Sequence, residues 1–147
     1  MKSVFLVHLF STLFMVGVIW FAQVVHYPLL GRVGKEGFVE YEKENTRRTG
    51  WVVIPVMAAE LMTALLLLWR SPEGFLPWHA RLNAGLLGLI WISTFTLQGP
   101  YHNRLVKTFD PAVWRSLVNT NWVRTAAWTA RGILLLVVLR EVWSKAG

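Results

Sequence analysis

NTNWVRTAAWTAR, residues 119 to 131, opens the last long apolar segment of the chain, which continues as GILLLVVL toward Arg140. Four of its larger side chains recur at steps of three, four and three residues, which places them on one face of a helix: Asn121, Arg124, Trp128 and Arg131. An arginine near a bilayer centre costs at least ~2.5–3.5 kcal/mol on insertion scales, so it is expected to face a partner or a watery cavity. We therefore expect this polar stripe to form one wall of a polar site.

The composition indicates a polytopic membrane protein. Of the 147 residues, 54% are hydrophobic, and the mean hydropathy is +0.43. The apolar residues gather in four blocks, each close to the roughly 20 residues that cross a bilayer as a helix. We predict an all-α fold, a polytopic four-helix transmembrane bundle forming a single domain over residues 1–147, with spans at about 4–27, 51–69, 79–98 and 118–140.

Three features of the composition narrow the class of function. Many of the nine tryptophans lie near block ends, as expected for aromatic belts at the membrane interfaces. The chain has no cysteine, which excludes disulfides and thiolate metal sites. Its net charge of +7 is explained by basic residues flanking membrane spans, so we expect the lipid bilayer, and no nucleic acid, as a partner.

The basic residues also predict an orientation. Four spans put loops 1 and 3 on one side of the membrane, and both termini with loop 2 on the other. Loops 1 and 3 hold Arg32, Lys35, Lys43, Arg47, Arg48, Arg104, Lys107 and Arg115. The opposite side holds Lys2, Arg70, Arg81, Arg140 and Lys145. This bias favours cytoplasmic loops 1 and 3 in a bacterial inner membrane.

Two polar connections lie on that side. Residues 31 to 50 mix acidic and basic side chains, and we expect a solvated charged loop there, with a short amphipathic surface helix as the alternative. In the other connection, Asp110 and Pro111 have the features of a helix cap and a first turn. That helix can continue into the fourth span.

Glu60 is the most informative residue of the second span, which begins near Trp51. It lies roughly 13 Å into the span at 1.5 Å per residue, which is too deep for a short side chain to reach the interface. Glu60 must therefore be protonated, paired with an arginine or bound to a cation.

Polar residues from all four spans converge on the membrane half nearer loops 1 and 3. They are Gln23, His26, Glu60, Gln98, His102, Asn121 and Arg124. Helices in such a bundle lie about 8–10 Å apart, so these side chains can meet in one site.

Two cofactor hypotheses follow from the histidines. His26, His102 and Glu60 form the two-histidine, one-carboxylate set that leaves open positions on non-haem iron, although Glu60 lies deeper than the histidines. His8 and His79 lie near the opposite membrane edge, and facing neutral imidazoles can ligate haem b.

Two further hypotheses need no cofactor. Glu60 can pair with Arg124 or Arg131 and hold two helices together without catalysis. Alternatively, Arg124, Asn121 and His102 hold the oxygens of a ring substrate that enters from the lipid, with Glu60 or His26 as base, because a positioned base and a cation stabilise an enolate-like intermediate. Substrate-binding residues would then also include Gln23, Gln98, Asn103 and Trp128.

Short motifs along most of the chain resemble the anthrone oxygenase-like family of small four-helix membrane proteins. They are Trp20-Phe21-Ala22 running to Tyr27-Pro28-Leu29 at the end of span one, Pro100, Asn103, Arg104 and Leu105 after span three, and Asn121-Trp122-Val123-Arg124-Thr125 in span four. This resemblance implies a membrane protein that acts on lipophilic aromatic substrates, with or without a cofactor.

A second, partial resemblance is to the HemJ-type protoporphyrinogen oxidases, which are small four-helix haem proteins. It is carried by His8, by Trp20-Phe21-Ala22 with Tyr27-Pro28, and by Trp78-His79-Ala80-Arg81-Leu82 at the start of span three. Arg81 stands where that family has lysine, and span four is similar to the first family instead.

The leading hypothesis is an integral membrane oxidoreductase or oxygenase-like enzyme for a lipophilic aromatic or ring compound. The alternatives are a haem-binding HemJ-like oxidase and a non-catalytic accessory subunit. A homo-oligomer and a larger membrane complex both stay open as assemblies.

Overall fold

The computed structural model describes residues 1–144, so Lys145, which entered the orientation prediction, lies outside the described residues. Four helices, each long and apolar enough to cross a membrane, make up the fold: α1 (Lys2–Leu30), α2 (Lys35–Trp69), α3 (Pro77–Leu105) and α4 (Pro111–Ser144). The predicted all-α four-helix transmembrane bundle is confirmed.

Around the bundle, each helix lies beside the helices that come before and after it in the chain, and α4 also packs against α1. Helix α1 packs closely against α2 and α4, and α3 packs closely against α4. The contact between α2 and α3 is the weakest of the four sides. The side between α2 and α3 is therefore the most loosely packed side of the bundle.

The prediction of a charged loop over residues 31–50 is wrong, because α2 begins at Lys35 and runs without interruption into the membrane. Two kinds of contact stabilise this extension. Phe38 and Glu42 are fully buried on its inner face, while Glu44 bonds Arg47 on the exposed face at 2.6 Å. One buried face and ion pairs one turn apart are what an amphipathic helix needs in order to continue.

Helix α4 also begins before its apolar segment, as Asp110 and Pro111 predict. The Asp110 carboxylate accepts hydrogen bonds from the backbone N–H groups of Ala112, at 2.8 Å, and Val113, at 3.3 Å. These bonds satisfy donors that the first helical turn leaves without partners.

Helices α1 and α3 each contain one π-helical turn, at Ala22–His26 and Thr94–Gln98. Pro28 and Pro100 follow these turns at the same spacing, two residues after the last π residue. Proline lacks a backbone N–H, and its ring clashes with the preceding turn, so an extra residue in that turn relieves the conflict. Each π turn carries polar side chains, Gln23 and His26 in α1 and Thr94 and Gln98 in α3.

The apolar core forms three layers along the bundle. Phe5, Leu67 and Leu135 lie in the layer near the chain termini, Met15, Met57 and Ile90 in the middle layer, and Leu30, Phe38 and Leu117 near loops 1 and 3. Large apolar side chains also cover the outer surface, among them Phe10, Ile54 and Ile133. Such a surface suits a lipid environment.

Candidate functional site

The polar stripe of α4 faces the bundle interior, as the spacing predicts. Asn121, Trp128 and Arg131 are almost completely buried, and Arg124 is 8% exposed. The stripe nevertheless does not form one site. Its two arginines belong to two separate polar clusters, which differ in their partners and in their access to a cavity.

The first cluster is built on a buried ion pair. Arg131 Nη1 lies 2.7 Å from Glu60 Oε1, and both side chains are fully buried. Trp128 Nε1 donates a hydrogen bond to Glu60 Oε2 at 3.0 Å. The sequence predicted either Arg124 or Arg131 as the partner of Glu60, and the partner in the structure is Arg131.

His8 and Asn83 complete the surroundings of that ion pair. Asn83 Oδ1 accepts from Arg131 Nε at 3.1 Å, and Asn83 Nδ2 lies 2.9 Å from His8 Nε2. On the other side of the ring, His8 Nδ1 lies 2.7 Å from Thr63 Oγ1, which itself donates to the Ala59 carbonyl at 2.6 Å. His8 is therefore a neutral imidazole with its proton on Nδ1, because both Thr63 and Asn83 require it.

We call this network the closed cluster. Its members are His8, Thr12, Glu60, Thr63, Asn83, Trp128 and Arg131. Positive and negative charge balance within it, and every helix contributes at least one residue. A network whose hydrogen bonds are all satisfied internally holds helices together and leaves little capacity for a ligand.

The second cluster is built on Arg124, whose partners are all neutral. Its Nε and Nη2 donate to Asn121 Oδ1 at 2.9 and 2.5 Å. Nη1 donates to Thr94 Oγ1, and Nη2 donates to the Tyr27 hydroxyl, both at 3.3 Å. Within residues 1–144, Arg124 forms no salt bridge with a carboxylate. A buried cation is thus held in place by dipoles alone.

Next to Arg124 lies a chain of carboxylate, imidazole and phenol. Glu42 Oε1 is 2.5 Å from His102 Nδ1, and His102 Nε2 is 3.3 Å from the Tyr27 hydroxyl. The carboxylate fixes the proton of His102 on Nδ1, so Nε2 can accept the Tyr27 proton. The catalytic triad of serine hydrolases has a carboxylate, an imidazole and a hydroxyl in the same order, although its hydroxyl is that of a serine.

We call Glu42, His102, Tyr27, Arg124, Asn121 and Thr94 the pocket cluster. Supporting contacts fix two of its members. Asn121 Nδ2 donates to Gln23 Oε1 at 2.8 Å. Trp114 Nε1 donates to the Tyr27 carbonyl at 2.8 Å, and its ring lies so close to Gly31 that an added Cβ would come within 2.5 Å of it. Gly31 is therefore needed for this close approach.

A cavity of about 540 Å³ adjoins the pocket cluster. Its polar lining comprises His26, Tyr27, Asn45, Thr46, Thr49, Thr94, Gln98, His102, Asn103 and Arg124. Its apolar lining includes Met15, Ile19, Val53, Ile54, Met57, Trp91, Phe95 and Trp128. The volume lies in the range of small-molecule sites, and an apolar wall with few convergent polar groups is typical of them.

The structure brings together most of the predicted site residues, but not all. His26, Gln98, His102, Asn103, Arg124 and Trp128 line the cavity, while Gln23 and Asn121 lie directly behind its wall. Glu60 does not line it, because Arg131 and Trp128 hold its carboxylate in the closed cluster. Trp128 is the one residue that belongs to the closed cluster and also lines the cavity.

The predicted metal site is wrong. Glu60 is paired with Arg131 and His102 with Glu42, so His26, Glu60 and His102 do not gather. Among residues 1–144, no group of three histidine or carboxylate side chains has the geometry to hold a metal ion. The depth difference between Glu60 and the histidines is the physical reason.

The predicted haem ligands have other partners. His8 is fully buried and uses both ring nitrogens in the closed cluster. His79 Nδ1 accepts a hydrogen bond from the backbone N–H of Leu76 at 3.1 Å at the start of α3. Axial ligation by His8 would break its bond to Asn83 if Nε2 were the ligand, or its bond to Thr63 if Nδ1 were the ligand.

Sequence reasoning missed Glu42, Tyr27 and Thr94. Glu42 falls within the segment predicted as a solvated loop, yet Phe38, Glu42, Asn45 and Thr49 recur at helical spacing and continue into Val53. That periodicity is the signal that identifies the buried face. Tyr27 lies between His26 and Pro28, but nothing in the local sequence indicates that its hydroxyl reaches both Arg124 and His102.

No family model matches the chain, and no match was found among curated proteins or solved structures. The two family resemblances therefore remain predictions.

Proposed function

We propose that this protein is an integral membrane enzyme, oxidoreductase or oxygenase-like, that acts on a lipophilic ring compound in the cavity between α2 and α3. One observation carries the proposal: the Arg124 guanidinium is buried at the cavity wall without a carboxylate partner among the described residues. A buried cation of this kind is best satisfied by an anion, and an anion forms when a substrate loses a proton.

The pocket cluster has the groups for that proton transfer. Tyr27, after giving its own proton to His102 Nε2, is the base that removes a proton from a ring carbon next to a carbonyl. Glu42 stabilises the resulting imidazolium, and Arg124 stabilises the enolate oxygen. Arg124 also lies 3.3 Å from the Tyr27 hydroxyl, so it stabilises the phenolate as well.

Dioxygen is the oxidant in this proposal. The enolate carbon bonds to O₂, transferring an electron pair to it, and one proton completes a hydroperoxide. Loss of water then leaves a new carbonyl, so that a ring CH₂ and O₂ give C=O and H₂O. The apolar inner end of the cavity, formed by residues such as Met15, Met57 and Trp91, holds the ring and excludes water.

We further propose a bacterial inner membrane location with the pocket cluster in the cytoplasmic half. The basic residues flanking that end of the bundle support it, including Arg47, Arg48 and Arg104, which are exposed.

Proton abstraction can be tested without knowing the natural substrate. The probe is 2-tetralone, a small ring ketone whose C1 hydrogens are acidic, and the measurement is deuterium uptake at C1 in D₂O with the protein in lipid nanodiscs. We expect the wild-type protein to accelerate exchange, and Arg124→Met to reduce that acceleration about 10²–10³-fold, the range for loss of one oxyanion-stabilising donor. Oxygen consumption by the same samples tests the second step.

Arg124→Lys and Leu65→Ala are the matched controls. The lysine retains the charge but not the forked geometry, so exchange should fall less than with methionine. Leu65 is exposed on α2 and does not line the cavity, so its substitution should leave exchange unchanged. Equal exchange in folded wild-type and Arg124→Met protein would refute the proposal.

A further inference from the structure

The cavity is a long slot with α2 and α3 as two of its walls, and residues of α1 and α4 line the rest of it. On α2 it is lined at four-residue intervals by Asn45, Thr49, Val53 and Met57, and α3 lines it in the same way from Trp91 to Asn103. Each run covers about 18 Å of helix at 1.5 Å per residue. A small ring compound does not need a slot of this length.

The slot opens sideways toward lipid. Ile54 on α2 and Phe95 on α3 both line it, and they are 67% and 68% exposed on the bundle surface. They form a rim on the side of the bundle between α2 and α3, which is the most loosely packed side. A molecule in the slot can therefore extend between these two side chains into the bilayer.

Polarity changes along the slot. At the end near loops 1 and 3 the walls carry Asn45, Thr46, His102 and Asn103, and Tyr27, Thr94 and Arg124 of the pocket cluster also line the slot. At the deeper end they carry Val53, Met57 and Trp91. One leaflet of a bilayer has the same order, with polar groups outside and hydrocarbon inside, so a membrane amphiphile fits the slot in its natural orientation.

We infer that the slot binds the ring headgroup of a membrane-resident amphiphile, with the headgroup oxygen at Arg124 and a hydrocarbon tail leaving between Ile54 and Phe95. This inference deepens the proposed function and rests on it for the role of Arg124. A tail that stays in the bilayer avoids transfer of its apolar surface through water. The lateral opening also explains why the binding site does not need to enclose its whole ligand.

The test compares two probes with one headgroup: 2-naphthol, which the cavity can enclose, and 6-dodecyl-2-naphthol, whose tail must leave it. Binding is measured as the rise in unfolding temperature of the full chain in nanodiscs at increasing probe-to-lipid ratio. The double variant Ile54→Trp with Phe95→Trp narrows the rim. It should weaken binding of the dodecyl probe roughly 5- to 150-fold, which is the range expected for steric overpacking. The affinity for 2-naphthol should change less than about threefold.

Two controls separate the effect of the rim from the effects of added bulk and of the tail alone. Leu65→Trp with Ile92→Trp adds the same bulk to the same helices, at exposed positions that do not line the slot. The affinity for either probe should therefore not change. Dodecylbenzene, which has the tail without the oxygen, should not raise the unfolding temperature of the wild-type protein. The unfolding temperature without probe shows whether each variant folds.

Each outcome decides the matter. Equal weakening of both probes by the rim variant, no weakening of the dodecyl probe, or no binding of it to the wild-type protein would overturn the inference. If the rim variant discriminates between the probes but Arg124→Met binds both as well as wild type, the tail passage stands and the proposed function fails. If Arg124→Met loses tetralone exchange but the rim variant has no selective effect, only the tail inference fails.

Discussion

The closed cluster and the pocket cluster each contain one arginine of the same helix face, yet the two arginines are satisfied in opposite ways. Arg131 has a carboxylate partner, Glu60, at 2.7 Å, and both are fully buried. Arg124, two turns away on α4, is bound only to neutral groups and borders a cavity. Arg131 is neutralised without a ligand, whereas no carboxylate of the described residues bonds Arg124, because Glu42 of the same cluster bonds His102.

Burial alone does not distinguish these two arginines. Both side chains are at least nine-tenths buried, and both carry a charge that the bilayer opposes. What differs is where the compensating charge comes from. In the closed cluster the protein supplies it, and in the pocket cluster we propose that the substrate supplies it.

The largest effect should come from removing the carboxylate of the closed cluster. Glu60→Met leaves Arg131 buried without a counter-charge, and the free energy of unfolding should fall by about 3–5 kcal/mol. The double variant Glu60→Met with Arg131→Met should recover most of that loss, since no charge remains buried. Unfolding in mixed micelles, followed by circular dichroism, measures both. A loss below about 1 kcal/mol for Glu60→Met would mean that the ion pair is not structural.

A smaller effect, on rate rather than stability, should follow from Glu42→Gln in the pocket cluster. Glutamine keeps the shape but not the charge that stabilises the His102 imidazolium, so exchange of 2-tetralone should fall about 10²-fold, the lower end for general-base catalysis. Glu44→Gln is the matched control, because Glu44 lies on the exposed face of the same helix and bonds only Arg47 and Arg48. Equal exchange rates in both variants would remove Glu42 from the mechanism.

The smallest effects should come from replacing one threonine by valine in each cluster, which compares the two clusters by the same chemical change. Thr63→Val leaves the His8 Nδ1 proton buried without an acceptor, which should reduce the free energy of unfolding by roughly 1–3 kcal/mol. Thr94→Val removes one acceptor from Arg124, which lines the cavity, so the free energy of unfolding should fall by about 0.5–1.5 kcal/mol. Thermal unfolding measures the loss of stability in both variants. A larger loss for Thr94→Val than for Thr63→Val would reverse our assignment of the closed cluster as the structural one.

Much of the fold follows from periodicity and hydropathy, because a helix that crosses a bilayer must satisfy its own backbone and present apolar side chains to lipid. That constraint predicts four spans and the inward face of α4. It fails for residues 35–50, where the helix is outside the main apolar segment. There the burial of Phe38 and Glu42 depends on contact with the rest of the bundle.

The candidate site is less predictable than the fold. The sequence indicates that Glu60 needs a cation and that Arg124 and Arg131 are both within reach, but the choice depends on helix rotation and depth. The π turns add to this, since each shifts the residues after it around the helix axis, which affects where Tyr27 and His102 point.

By itself, then, the sequence determined the transmembrane helices, the buried polar stripe and the need to compensate each intramembrane charge, because these follow from local periodicity and from the cost of burying charge. The tertiary structure alone decided that Glu60 pairs with Arg131, that Glu42 reaches His102, and that Arg124 borders a cavity. The physical reason is that a hydrogen bond depends on a few tenths of an ångström between helices. No spacing within one helix specifies that distance.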